Sequence, residues 1–163
     1  MKKAIYVVGV VIVIILAVVC YIFSTKENEN EAVVLNIQEL ATKIQEQDVF
    51  DDTLEHIDKG TIIKNYGFTD EEIVDAVSYV STGATSEEIL VVEANDVNSV
   101  KAKIDTRISD RAEAFASYLP DEVYKLENPT LIIQNNYIIL CVCKDSAKMN
   151  EYIENYIKDI REA

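Results

Sequence analysis

The residues of this chain best suited to chemistry are its adjacent carboxylates, Asp51-Asp52, Glu71-Glu72 and Glu87-Glu88. Two carboxylates can divide acid–base work when one is kept protonated and the other ionised. On a glycan they must also converge on one bond from about 5–10 Å apart. Against 29 acidic and 15 basic residues in total, the same pairs read as solvated or helix-capping groups. The single imidazole, His56, stands beside Glu55 and near Asp58, and reads as a surface or edge-strand residue rather than a base. No serine, cysteine or histidine stands in a G-x-S-x-G, S-x-x-K or H-E-x-x-H frame. Glycine occurs only at positions 9, 60, 67 and 83, which rules out a P-loop or a dinucleotide fingerprint. No EF-hand spacing is present.

Three cysteines complete the inventory. Cys20 lies in an apolar run. Cys141 and Cys143, two apart in an apolar segment, point to one face of a strand, where a Cα separation of about 6–7 Å would strain a disulfide. With one histidine and no other usable cysteine they lack the partners of a metal site. They read as small core side chains, and Tyr152 and Tyr156 read as core packing at helical spacing. These readings name no catalytic, cofactor-binding or metal-ligating residue.

The strongest positional signal is Ala4–Phe23, which carries no charge. A helix of about 20 residues is about 30 Å long, the thickness of a bilayer's hydrocarbon core. Lys2 and Lys3 precede it, and Glu27, Glu29 and Glu31 follow soon after. This asymmetry keeps the N-terminus cytoplasmic and sends the rest across. Ile22-Phe23-Ser24 is a poor small-x-small cleavage site, and Val19 is bulky for the position before a lipidated Cys20. The reading is an uncleaved single-pass anchor. It divides the chain into a cytoplasmic N-terminus (1–3), an anchor (4–23), a linker (24–35) and an extracytoplasmic α+β domain (36–163). Without Lys2, Lys3, Lys26, Glu27 and Glu29, the portion after residue 30 holds 12 basic and 27 acidic residues, a net of −15. That charge excludes nucleic acid and electrostatic binding to anionic lipid headgroups.

Periodicity supplies the elements of the domain. Asn36 caps a helix over Ile37–Gln47, with Leu40 and Ile44 on its apolar side. A second helix spans about Lys59–Tyr66 and closes on Gly67. Thr69 and Glu72 form a capping box that predicts a single helical turn. Val74–Ser81 and Glu88–Ala94 are strands joined by Thr82–Ser86. Asn95 or Asp96 caps a long helix with Val97, Val100, Ile104, Ile108, Phe115 and Leu119 on one face, and Lys101, Lys103, Asp105, Arg107 and Asp110 on the other. Pro120 stops it. Asp121–Pro129 is a loop. Thr130–Gln134 and Tyr137–Lys144 form a hairpin about a type I′ turn at Asn135-Asn136, with Leu131 opposite Leu140 and Ile133 opposite Ile138. Both faces of this hairpin are apolar, which predicts a central position in a sheet covered on both sides. Ser146 caps a last helix with a broad apolar stripe of Met149, Tyr152, Ile153, Tyr156, Ile157 and Ile160. The order after Ile73 is ββαββα, an antiparallel sheet with its two helices on one face. The N-terminal helix is available for the other face.

Gly83–Val92 (GATSEEILVV), Ser117-Tyr118-Leu119-Pro120 and Lys125-Leu126-Glu127-Asn128 resemble a bacterial family of unknown function. Its members are small envelope domains of Gram-positive bacteria carried behind a lipoprotein signal or membrane anchor. The resemblance spans roughly Ile37–Ile157. It implies a turn role for Gly83 and a helix stop at Pro120, and it implies no activity. The expected function is a non-catalytic, membrane-anchored domain that binds a protein or an envelope component and takes no cofactor. The alternatives are an envelope enzyme using paired carboxylates and a small-ligand or cation sensor.

Overall fold

In the computed structural model residues 33–162 are described. The segment 4–23, expected as an anchor, lies outside them. Among the described residues no helix is long and apolar enough to cross a membrane. Eleven elements follow in order: α1 (Ile37–Gln45), β1 (Leu54–Ile57), α2 (Lys59–Tyr66), β2 (Ile73–Ser81), β3 (Glu88–Ala94), α3 (Val97–Tyr118), a 3-10 turn (Pro120–Glu122), α4 (Val123–Glu127), β4 (Thr130–Gln134), β5 (Tyr137–Val142) and α5 (Ser146–Glu162). The strands form one five-stranded sheet in the order β1-β2-β3-β5-β4. Every neighbouring pair is antiparallel. The fold is α+β.

Local chemistry fixes most boundaries. Asn36 Oδ1 accepts the Glu39 N–H at 3.1 Å and starts α1. Asp58 does the same for α2 through Thr61 at 3.0 Å, and Asp96 for α3 through Ser99 at 3.0 Å. Gly67 ends α2 in the left-handed region at φ 68°, where a Cβ would be strained. Tyr118 is the last residue of α3, and Pro120 opens the next turn. α5 is capped by Asp145 rather than by Ser146, because the Asp145 carboxylate accepts the Lys148 N–H at 3.0 Å. The Thr69/Glu72 pair closes a hydrogen-bonded turn and no helix, although Glu72 does accept the Thr69 N–H at 2.7 Å.

The sheet divides two apolar cores. Val77, Ile89, Val91, Ile139 and Cys141 face α1 and α5, meeting Leu40, Ile44, Met149, Ile153 and Ile157. Ala76, Leu90, Val92, Ile138 and Leu140 face the opposite way, onto Ile62 of α2, Val100, Ile104 and Phe115 of α3, and Leu126 of α4. The two long helices therefore lie on opposite faces, not on one. β3 and β5 are apolar on both sides, so each face needs its own helical layer. α1 shares the second face with α5. Val33 and Leu35, just before α1, are buried there.

The hairpin pairs in the expected register, Leu131 with Leu140 and Ile133 with Ile138. Its position differs from expectation. β5 is interior and wholly buried, whereas β4 is one of the two edge strands of the sheet. Its turn also departs from type I′. That type needs positive φ at both central residues, and here only Asn135 (φ 54°) has it. The segment expected as a loop, Asp121–Pro129, instead folds into the end of the 3-10 turn and α4, whose one inward face buries both Leu126 and Lys125.

Candidate functional site

Glu87 and Glu88 stand side by side at the start of β3 and are both buried, with relative exposures of 0% and 1%. The solvated reading of this pair is overturned. Successive residues of a strand point to opposite faces. With both faces of β3 covered, each carboxylate enters a different layer and each meets a cation there.

Glu87 points to the end of the sheet near the α1–β1 connection. The backbone N–H groups of Asp51 and Asp52 donate to it at 2.9 and 3.0 Å, and the Thr85 hydroxyl at 3.1 Å. Lys125 Nζ, only 1% exposed, lies 3.0 Å from Glu87, 2.9 Å from Asp51 and 3.1 Å from Glu122. Three N–H donors thus meet three carboxylates. Burial alone would push the Lys125 ammonium down, but hydrogen bonds to Asp51, Glu87 and Glu122 outweigh it and hold the pKa above the ordinary lysine value. Asp51 is held below the usual carboxylate range by hydrogen bonds from Lys125 and Lys144. Glu122 also accepts the Ser86 N–H at 2.8 Å. Asp52 accepts the Thr82 hydroxyl at 2.9 Å, which anchors the loop where Gly83 takes φ 101°.

Glu88 points to the α2–α3 layer. The Tyr66 hydroxyl donates to it at 2.6 Å, Arg107 through Nη2 at 2.9 Å, and Arg111 through Nη1. Arg107 lies 4.5 Å over the Tyr66 ring and also donates to the Asn65 carbonyl at 3.2 Å. Burial, then the Glu88 charge, pushes the Tyr66 phenol up, so it stays a neutral donor. Arg107, expected on the outward face of α3, is turned inward to the buried Glu88 carboxylate. Lys103, one turn earlier, binds Glu72 at 2.6 Å. Glu72 is lowered to about 2, chiefly by Lys103 and then by the Ser99 hydroxyl.

Lys103, Arg107 and Arg111 follow at four-residue spacing on one side of α3, so they line a single cleft between α3 and the end of α2. The cleft has a volume of about 360 Å³ and also exposes Asn65, Gly67 and Asp110. Arg111 donates to Glu88 through Nη1, and among the described residues its Nε and Nη2 have no partner. One buried carboxylate thus faces two guanidiniums at the cleft floor, and Asp110 brings a second carboxylate to the cleft lining.

The other residues singled out from sequence do not join these clusters. His56 is exposed on edge strand β1, its ring edge-on to Tyr79 at 5.5 Å. Glu71 is exposed. Cys141 and Cys143 are free and buried, and burial pushes the Cys141 thiol up. Tyr152 and Tyr156 pack against the α1–α5 core. Among the described residues no cluster of His, Cys, Asp and Glu is placed to hold a metal ion.

Both glutamates and their four principal cation or phenol partners fall within one stretch of chain. A family profile described as Domain of unknown function (DUF4358) matches residues 47–143, more than half of the 163 residues. The chain belongs to this family. No curated protein and no solved structure matches it. The span of the DUF4358 domain holds all five strands and both buried charge clusters, and leaves out α1 and α5. The "GAT-x-EEI" stretch holds Gly83, Thr85, Glu87 and Glu88, and the Lys125-Leu126-Glu127-Asn128 stretch holds the cation that Glu87 needs. The signal that would have exposed this from sequence is the run after Glu88. Ile89-Leu90-Val91-Val92 is apolar on both faces, so an acidic pair opening that strand is driven to bury both members.

Proposed function

We propose that this DUF4358 chain is a membrane-tethered, extracytoplasmic, non-catalytic binding domain, and that the cleft between α2 and α3 takes an anionic group of its protein or envelope ligand. The uncharged segment 4–23 and the basic-then-acidic flanks support the tether and its direction. The partly engaged Arg111 guanidinium at Glu88 carries the binding reading. A cation 19% exposed, facing a cleft in a domain of net charge −15, is kept where a carboxylate or phosphate could use its fork of N–H donors. The non-catalytic reading draws on saturation. Glu87 and Lys125 have every strong donor and acceptor position engaged, and Glu87 and Glu88 diverge to opposite faces.

The test uses the full chain in lipid nanodiscs. Titration with inorganic phosphate and, separately, acetate should shift the Nε–H resonances of Arg107 and Arg111, and Arg111→Gln should remove the response. The two anions distinguish a phosphate-bearing from a carboxylate-bearing ligand. Unmoved arginine signals with both would sink the cleft as a binding site. The tether is tested separately by protease added to intact cells, which should degrade the domain without lysis.

A further inference from the structure

Asp110 lines the cleft between α2 and α3 beside Arg111, and among the described residues its carboxylate enters no hydrogen bond or ion pair. The helix explains why. At three- and four-residue spacing Asp110 can reach Thr106, Arg107, Glu113 and Ala114. Only Arg107 is a cation, and it is already taken: Nε and Nη2 donate to Glu88, and Nη1 to the Asn65 carbonyl. Arg111 is the next residue in the chain, and adjacent helix positions do not face each other. Arg111 donates to Glu88 through Nη1, which leaves the opposite edge of its guanidinium, Nε and Nη2, without a partner among the described residues. An open carboxylate and an open guanidinium edge therefore line one cleft, each kept from the other by the helix that carries both. The charges of the cleft also balance. Lys103, Arg107 and Arg111 contribute three positive charges, and Glu72, Glu88 and Asp110 three negative. In a domain of net charge −15, such a cleft gives a ligand carrying only negative charge little net attraction. A ligand carrying both signs meets a partner for each.

We propose that this cleft binds an α-amino-acid head group, an ammonium and a carboxylate on one carbon, with the carboxylate on Arg111 and the ammonium on Asp110. The carboxylate half rests on the anion-binding reading of Arg111; the ammonium half goes beyond it. Nε–H and one Nη2–H of a guanidinium run parallel along one edge, and a carboxylate accepts both. An ammonium has three donors and no acceptor, so an ionised Asp110, which only accepts, is its complement. Gly67 and Ala114 at the lining add no bulk. The cleft volume of about 360 Å³ exceeds a single head group, which leaves room for the chain that carries it. That chain is either the side chain of a free amino acid or an amide-linked residue of a peptide whose side chain ends in the head group.

The experiment uses the full chain in nanodiscs and follows the Arg111 Nε–H resonance during titration with glycine, acetate, methylammonium and N-acetylglycine. Glycine should bind about fivefold more tightly than acetate or methylammonium, and N-acetylglycine, which lacks the ammonium, should fall to the level of acetate. Asp110→Asn should bring glycine down to that level too. Asp105→Asn, on the same helix but outside the cleft and paired with Lys101, should leave glycine binding unchanged. Both positions are exposed, and circular dichroism checks that each variant is folded. γ-Glutamylglycine, which presents the head group on a side chain, separates the two sources: binding tighter than glycine places the head group on a peptide, and weaker binding places it on a free amino acid. Glycine no tighter than acetate or N-acetylglycine, or a glycine affinity that survives Asp110→Asn, would overturn the proposal and leave Arg111 as an anion site. Silence to glycine, acetate and phosphate alike would remove the anion-binding reading with it.

Discussion

Replacing Lys125 by Met tests whether the end of the sheet is held by a saturated charge cluster or merely tolerates one. The substitution keeps the length of the stem and removes the ammonium. Lys125 is 1% exposed, and Glu87 beside it is fully buried. Without the cation, Glu87 retains two backbone N–H donors and one hydroxyl, while Asp51, 47% exposed, keeps Lys144 at 3.2 Å and access to water. Glu122, 16% exposed, keeps the Ser86 N–H at 2.8 Å, so the loss falls mainly on Glu87. Breaking a buried pair from one side costs about 3–5 kcal/mol, because the remaining charge stays desolvated. Against a domain stability of about 5–15 kcal/mol that is a large fraction, and for a domain of this size it lowers Tm by about 10–20 °C. Urea unfolding followed by circular dichroism gives the free energy directly. The double variant Lys125→Met/Glu87→Gln separates the causes. If the cost is an orphaned charge, neutralising Glu87 should recover about 1–4 kcal/mol of it. A single variant within about 1 kcal/mol of the parent, or strictly additive effects in the pair, would refute the reasoning.

Three further outcomes are expected. Gly83→Ala should cost about 1–3 kcal/mol by the same urea assay, because φ 101° lies where a Cβ is strained even though no atom lies within 4 Å of it; an unchanged midpoint would mean the loop relaxes freely. Glu72 has a folded pKa of about 2 against an ordinary 4.5, so its contribution is complete above 4.5 and is lost as pH falls towards 2. Asp51 is depressed in the same direction. Stability should hold from neutral pH down to that window and then drop, with a shallower drop in Glu72→Gln; equal slopes would remove Glu72 from the account. In Cys20→Ser chain, Cys141 and Cys143 should react with Ellman's reagent only after denaturant is added, since both are buried, and prompt labelling would show that β5 opens readily.

What could be read from the sequence was what short-range chemistry decides. Asn36, Asp96, Gly67 and Pro120 act within a few residues of themselves, and the boundaries they imply were found in place. The hairpin register followed from a two-residue turn and alternating faces. What escaped was decided at a distance. The side of the sheet taken by each helix depends on how α3 and α5 cross it, and nothing within either helix encodes that. The Glu87–Lys125 contact spans 38 residues and the Lys125–Asp51 contact 74. A lysine beside Leu126 in a short segment resembles any solvated lysine until its three carboxylates are in place. Arg107 was misassigned for the same reason. Its helical position is ambiguous between faces, and the deciding partner sits on another element.

The adjacent glutamates also explain how a strand apolar on both faces keeps its register. In Ile89-Leu90-Val91-Val92 the two faces are nearly equivalent, so hydrophobicity alone barely resists a one-residue slip, which would exchange every side chain between layers. Glu87 and Glu88 remove that ambiguity. A slip would carry Glu88 towards the Lys125 side and bring Ile89 to Tyr66, Arg107 and Arg111, stranding two guanidiniums without their carboxylate in a layer that is largely dry. It would also take Glu87 away from the Asp51 and Asp52 amides. The unpaired guanidiniums cost several kcal/mol, whereas the correct register satisfies both acids at once. Burying ions in this way adds little net stability over an apolar core of equal volume. What it supplies is discrimination between two alignments that apolar packing would leave almost degenerate. The same cations placed for that purpose leave Arg111 only partly engaged at the cleft, so the device that aligns β3 also supplies the guanidinium that the proposed anionic ligand would meet.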